Sequence, residues 1–200
     1  NSYGRDLQLD KRRAGEDVSA RPLFSELLRE VGAVPGIKRV RFTSPHPKDM
    51  RPETFAVMAE VPTICEHLHY PLQSGSDRLL AIMHRGYNAE RYLERLHEAR
   101  RLIPDLAIST DIIVGFPGET EELFMETYNF LNDLPINYLH VFTYSERENT
   151  EAADMQGAVP IPERKRRNKM LRILSEKKKM EFYRTQLGNK LPVLWEHENK

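Results

Sequence analysis

Two short polar strings, each behind an apolar run, carry residue types that bind small ligands. One is Gln73-Ser74-Gly75-Ser76, within LHYPLQSGSD. The other is Gly115-Phe116-Pro117-Gly118-Glu119, within STDIIVGFPGETEE. Gln73 and Ser74 both donate and accept hydrogen bonds, and Gly115 and Gly118 let backbone approach a bulky ligand closely. Asp111, Glu119 and Arg147 add charge, and Ser44 and His46 add polar groups in Ser44-Pro45-His46-Pro47. Each feature also has a structural reading. Ser76 can cap the following helix, and Glu119, Glu121 and Glu122 suit a positive helix N-terminus. Asp111 lies within an apolar run, where an ionised carboxylate needs a partner such as Arg41, and Arg147 can be a solvated loop residue.

His67 and His69 suggest different chemistry. Two apart on a strand, they share one side, and His46 and His140 could approach them. An H-x-H pair of this kind serves metal-dependent βα-barrel hydrolases. Against that reading, no acid completes the set, and Tyr70-Pro71 ends the strand at once. Cys65 is the only cysteine, which rules out an internal disulfide and any cysteine-only metal or cluster site. It reads as a small buried hydrophobe on the face away from the site. Arg164, Arg166, Arg167 and Lys169 offer charge for RNA phosphates, or the solvated side of an amphipathic helix that also carries Glu163, Glu176 and Glu181.

The elements that must place these groups alternate along the chain. Helical spacing begins behind Pro22 (Leu23, Phe24, Leu27, Leu28, Val31), after a charged loop over residues 5–20. A strand is predicted over 38–43 through Val40 and Phe42, then a helix over 52–60. A strand over 66–72 precedes a short helix over 77–83. Asn88 caps a helix whose stripe is Ala89, Tyr92, Leu93, Leu96, Ala99 and Ile103. A strand over 106–114 follows, with Ile112, Ile113 and Val114 reading as buried on both faces. Then come a helix over 120–133, a strand over 137–144 and a long helix over 163–187. That helix is expected to turn Met170, Ile173, Leu174, Met180, Tyr183 and Leu187 inward, with Lys178 among the residues of its polar side. A final strand is predicted over 191–195. Strands separated by helices require right-handed crossovers and a parallel sheet. Without a dinucleotide-type glycine fingerprint, the fold class is α/β, a partial parallel TIM-like barrel. The loops behind its strands, with Asn1-Ser2-Tyr3, form one functional face.

Thirty Lys and Arg balance thirty Asp and Glu, so the formal net charge is zero. That argues against a dedicated polyanion binder while averaging over uneven segments. No apolar stretch approaches the roughly 20 residues of a membrane span, no signal peptide is visible, and a cytoplasmic address is expected. The chain opens on Asn1-Ser2-Tyr3-Gly4 without an initiator Met and reads as a fragment.

NSYG (1–4), RVRFTSPHPKDM (39–50), LHYPLQSGSDRLLAIMHRGY (68–87), TDIIVGFPGETEELF (110–124) and YSERENTEAADM (144–155) resemble, in order and spacing, the radical S-adenosylmethionine methylthiotransferases that modify tRNA. The resemblance covers most of the chain. It implies the later part of a radical SAM barrel over 1–159, a basic linker helix over 160–188, and the first strand of an RNA-binding β domain over 189–200. It implies insertion of a methylthio group into the adenine ring of a modified tRNA adenosine, using 4Fe-4S clusters and S-adenosylmethionine. The partners implied are tRNA and a reductase or other electron donor. By the same resemblance, Gln73, Ser74, Asp111, Gly115, Glu119, Arg147, Ser44 and His46 face the cofactor, and Arg164, Arg166, Arg167 and Lys169 face RNA. The family's C-x-x-x-C-x-x-C run would lie upstream of Asn1, so activity is expected of the intact parent and not of these 200 residues alone. Up to about Glu122 the chain is most similar to enzymes of isopentenyl-adenosine. From about Phe124 it is more similar to those of threonylcarbamoyl-adenosine, which leaves the nucleoside open.

Overall fold

The computed structural model describes residues 3, 12–15 and 24–194. The expectations for Asn1 and Ser2, for the helix start at Pro22 and Leu23, for most of the 5–20 loop and for Trp195 lie outside these residues. Three strands, β1 (His67–His69), β2 (Ala107–Val114) and β3 (Tyr138–Thr143), form a parallel sheet in chain order. His69, Ser109 and Tyr138 lie side by side, and Asp111 lies beside His140. Six helices accompany them among the described residues: α1 (Phe24–Gly32), α2 (Pro52–Glu60), α3 (Asp77–Ile82), α4 (Ala89–Leu102), α5 (Glu121–Asp133) and α6 (Ile161–Gln186).

The strand expected over 38–43 is reduced to two isolated bridges, Val40 to Ile64 and Thr43 to His69. Lys38, Arg39 and Arg41 are exposed, so only Val40 and Phe42 pack, and Ser44 turns the chain away at φ 53°. Asn88 accepts from the Arg91 N–H at 2.9 Å to start α4, and Thr120 caps α5 through the Leu123 N–H. Ser76 stands at the N-terminus of α3 without making a cap hydrogen bond.

The sheet has two unlike faces because side chains alternate along a strand. Leu68, Ile108, Ile112 and Val114 are buried in the core with Phe55, Leu96, Phe124, Leu131 and Leu171, each worth about 1.5–3 kcal/mol relative to exposure. The other face carries His67, His69, Ser109, Asp111, Ile113, Tyr138, His140 and Phe142. Ile113 is therefore only half-buried, so the run at 112–114 is not buried on both faces.

The long helix packs along the outer edge of β3. Ser175 Oγ accepts from the Leu139 N–H at 3.0 Å and donates to the Leu139 carbonyl at 2.9 Å, and Asn168 donates to the Val141 carbonyl. These bonds satisfy backbone groups that an edge strand otherwise exposes. Lys178 donates to the Asn132 and Leu134 carbonyls at the C-terminus of α5, where helix carbonyls lack partners. The buried residues of α6 are thus Arg164, Arg167, Leu171, Leu174, Ser175 and Lys178. Of the stripe expected from hydrophobicity only Leu174 is buried, while Ile173, Met180, Tyr183 and Leu187 are exposed. The helix is integral to the sheet and more than a linker. Residues 191–194 form no strand, against the expectation of one there.

Candidate functional site

The loops behind the three strands meet at the C-terminal edge of the sheet. His69 pairs with Ser109, and Gln73 with Ile112, so four steps along one chain match three along the other. This is a bulge, a device that re-aims a side chain at a sheet's rim. Gln73 donates its N–H to the Asp111 carbonyl at 2.8 Å and accepts from the Ile113 N–H at 3.0 Å. Those two bonds hold it at φ 74°, a region a side-chain-bearing residue adopts at a cost of about 1–3 kcal/mol. Of residues 70–76, Gln73 alone is not buried. Tyrosines brace the bulge from behind. The Tyr87 hydroxyl lies 2.8 Å from the Leu72 carbonyl, the Tyr92 hydroxyl donates to the Tyr70 carbonyl at 2.6 Å, and the Tyr70 and Tyr92 rings stack at 4.7 Å.

Gln73, Asp111, Ile113, Phe116, Tyr144 and Arg147 line a cavity of about 460 Å³. A neighbouring cavity of about 370 Å³ shares Gln73, Ile113 and Phe116 and adds Met83, His84 and Met155. Cavities of roughly 300–1,000 Å³ with apolar walls and a few polar groups suit small ligands. Phe116 and Tyr144, 5.2 Å apart edge to face, and Ile113 offer a wall for a flat ring. Gln73, Asp111 and Arg147 offer hydrogen bonds and both signs of charge. Ile113, Tyr144 and Ala152 were not expected as ligand contacts, since nothing in the sequence distinguishes them from ordinary core or loop residues.

Other expected ligand contacts are turned away. Ser74 is buried, sharing a 3.0 Å hydrogen bond with Thr127 Oγ1 and accepting from the Ser76 N–H; it braces its loop. Gly115 is buried at φ +78°, and a Cβ there would sit 2.4 Å from Arg164 Cγ. Glu119 is buried, and its Oε2 accepts from the Gly115 N–H at 2.6 Å and from Arg167 at 2.7 Å. Burial pushes its carboxyl up, while the bonds from Arg167 and Gly115 oppose that shift. Ser74, Gly115 and Glu119 therefore shape the site without facing it, a correction to their expected role. His46 accepts from the Lys48 N–H at the short helical turn Pro47–Asp49, its ring edge-on to Tyr87 at 5.7 Å.

A larger cavity of about 800 Å³ lies on the polar face of the sheet, lined by Ser44, His67, His69, Ser109, Asp111, Tyr138, His140 and Tyr183, among others. His69 bridges Ser109 Oγ at 2.8 Å and Asp111 Oδ2 at 3.1 Å, so Asp111 finds its partner in His69 and not in Arg41. Arg41 instead donates to His67 Nε2 at 3.0 Å. Burial, with Arg41 adding to it, lowers the His67 pKa to about 4, and burial lowers that of His140 too. His67 and His69 do share a side, and the His140 ring stands 5.2 Å from that of His69. Yet among the described residues no three His, Cys, Asp or Glu side chains are placed to hold a metal ion. The geometry therefore does not support the H-x-H hydrolase reading. Cys65 is half-buried, more open than expected.

On α6 the expected RNA contacts divide. Arg164 and Arg167 are buried, tied respectively to Glu146 and Glu119, and are out of reach of a surface phosphate. Arg166 is exposed but paired with Glu163 and Glu121, and it lowers the Glu163 carboxyl to about 2. Lys169 is exposed, as are Lys165 and Arg172 on the same stripe. The expectation fails for Arg164 and Arg167 because their guanidiniums turn inward, to the Val159 and Tyr144 carbonyls and to the buried Glu119.

Comparison with known proteins fits this architecture. Proteins named tRNA-2-methylthio-N(6)-dimethylallyladenosine synthase from Pelobacter propionicus and Thermobifida fusca are 44% and 46% identical over 93% and 90% of this chain. One of the same name from Acetivibrio thermocellus is 41% identical over the whole chain. The chain spans 42%, 36% and 39% of those three relatives. The Escherichia coli coproporphyrinogen III oxidase HemN, a radical SAM enzyme, superposes on 78% of this chain and 36% of its own, with a TM-score of 0.58 and 19% identity, a likeness of fold. The profile of the Radical SAM superfamily matches residues 14–131, more than half of the chain, and through β1, β2 and the loops that close on Gln73 this chain belongs to that superfamily.

Proposed function

We propose that this chain is the later part of the catalytic barrel of a tRNA methylthiotransferase, and that its edge cavity receives S-adenosylmethionine. The reading is carried by the relatives named above, which cover 90–100% of the chain at 41–46% identity. The cavity suits such a cofactor. Ile113, Phe116 and Tyr144 can take a purine face, and Gln73, Asp111 and Arg147 can take hydroxyls and an amino acid carrying both charges. Once bound, the cofactor supplies the one-electron chemistry that an unactivated aromatic C–H bond requires. The chain's own part is to orient it, and a well-placed ligand is worth far more than a loosely held one. A 4Fe-4S cluster does not fit these residues, because Cys65 is the only thiol and such a cluster takes several. Its ligands belong to other segments of the whole protein, as does contact with an electron donor.

The substrate proposed is a tRNA adenosine bearing a dimethylallyl group, because relatives of that name match both halves of the chain. RNA would meet the exposed stripe of Lys165, Lys169 and Arg172, and a cytoplasmic setting suits that partner. No helix among the described residues is long and apolar enough to cross a membrane. The test is anaerobic incubation of the reconstituted whole protein with S-adenosylmethionine and two tRNAs, one carrying dimethylallyl-adenosine and one carrying threonylcarbamoyl-adenosine. Nucleoside mass spectrometry should find the methylthio product from the dimethylallyl tRNA. A product only from the threonylcarbamoyl tRNA would reassign the substrate, and a product from neither would refute the activity.

A further inference from the structure

We propose that Arg164 and Arg167 are positioning residues: from the buried face of α6 they hold the loops behind β2 and β3 in the shape that receives the cofactor. The inference rests on the S-adenosylmethionine reading of the edge cavity and extends it to a helix that does not touch the ligand.

The bonds run to both loops. Arg167 donates to the Glu119 carbonyl at 2.8 Å and to Glu119 Oε2 at 2.7 Å, and the same Oε2 takes the Gly115 N–H. One guanidinium thus fixes both ends of the turn from Gly115 to Glu119. Arg164, one helical turn earlier, donates to the Tyr144 carbonyl at 3.0 Å and to the Val159 carbonyl at 2.6 Å, and pairs with Glu146. Its guanidinium lies 5.4 Å from the Tyr144 ring centre, and Tyr144 in turn stands against Phe116. Gly115 lacks a side chain where the Arg164 stem lies, so the turn can seat directly on the helix. The loop behind β2 is also tied to the segment leading into α6, through the Gly118 N–H and the Gly157 carbonyl at 2.8 Å.

These loops supply Phe116, Tyr144, Ser145 and Arg147 to the cavity, and neither arginine lines it. Covering the edge of β3 is already done by Ser175 and Asn168, and the hydrogen bonds of Arg164 and Arg167 go to other segments. Buried guanidiniums are favoured where several backbone carbonyls and a carboxylate must be held in fixed geometry. Arg167→Lys would keep the charge but lose the fork that reaches Glu119, Glu121 and Glu163 at once.

The experiment measures S-adenosylmethionine affinity, tRNA affinity and thermal unfolding of the reconstituted whole protein and its variants. Arg164→Gln and Arg167→Gln should each weaken S-adenosylmethionine by about tenfold or more, the scale of a displaced binding group, with tRNA affinity unchanged. Arg167→Lys, which retains the charge should the glutamine variant fold poorly, should recover part of the loss. The double variant Glu119→Gln/Arg167→Gln should bind no worse than Arg167→Gln, because the two groups act as one unit. Leu171→Ala, on the same helix face but bonded to neither loop, should lower the unfolding temperature while leaving the cofactor affinity in place. The proposal is overturned if the arginine variants bind like wild type, or if Leu171→Ala weakens binding as much as they do. Failure of the wild-type protein itself to bind S-adenosylmethionine would instead remove the reading on which the inference rests.

Discussion

Gln73 concentrates the site's demands in one residue. It occupies left-handed backbone at φ 74°, braced by two backbone bonds to β2, and its side chain is the one in its loop that reaches the cavity. A left-handed conformation costs a side-chain-bearing residue about 1–2 kcal/mol, and glycine escapes that cost. Gln73→Gly should therefore unfold at a higher urea concentration than Gln73→Ala, by about 1 kcal/mol. That is the reverse of the usual order in a strand, where glycine is the weaker residue. Both variants should weaken S-adenosylmethionine binding by about 1–3 kcal/mol, the scale of a missing buried hydrogen-bond partner. Paired denaturation and calorimetry would separate strain from ligand binding. Equal stability of the two variants would show that φ at this position is not a source of strain.

At the scale of elements, α6 shows how far hydrophobic pattern reaches. The helices at 52–60, 77–82, 89–102 and 121–133 were legible because caps, prolines and apolar spacing agreed. The strands at 107–114 and 138–143 were legible from their apolar runs. The length of α6 was legible too, but its phase was not. Four of its six buried residues are Arg164, Arg167, Ser175 and Lys178, each buried because a carbonyl or carboxylate awaits it. Hydrophobicity carries no record of such partners, so the apolar residues of the exposed side drew the stripe the wrong way round. The same blindness hid the inward turn of Glu119 and made the charged run at 164–169 read as an RNA face. Ser175 offers the clean test of this element. Ser175→Ala removes only the hydroxyl and leaves the Leu139 N–H and carbonyl without their partner, a loss of about 1–3 kcal/mol. Urea unfolding should report it, together with faster amide exchange at Leu139, the edge backbone that Ser175 protects. Unchanged exchange would mean that α6 covers β3 without sealing it.

In the whole molecule, the sheet's apolar face is filled by helices and its other face is polar, with two cavities meeting at Asp111. The helix that seals the sheet edge has its opposite side in solvent, so one element faces the cofactor loops with one surface and can meet a macromolecule with another. Among the described residues Lys165, Lys169 and Arg172 are exposed and make no ion pair, whereas Arg166 is already neutralised by Glu163 and Glu121. Phosphate binding should accordingly come from the three unpaired cations. Replacing all three by Gln should lower tRNA affinity and flatten the dependence of log affinity on log salt by about 0.7–0.9 for each phosphate that is no longer neutralised. It should do so for any tRNA sequence, because phosphate contacts position without reading bases. Arg166→Gln should leave the slope nearly unchanged, since a cation held by two carboxylates releases little counterion. S-adenosylmethionine affinity should stay constant throughout, as none of the four side chains lines the edge cavity and Arg166 bonds Glu121 and Glu163 and not the cavity loops. A salt series on wild type, the triple variant and Arg166→Gln decides the matter. An unchanged slope in the triple variant would assign this stripe to solvent and move the tRNA-docking surface elsewhere on the whole protein.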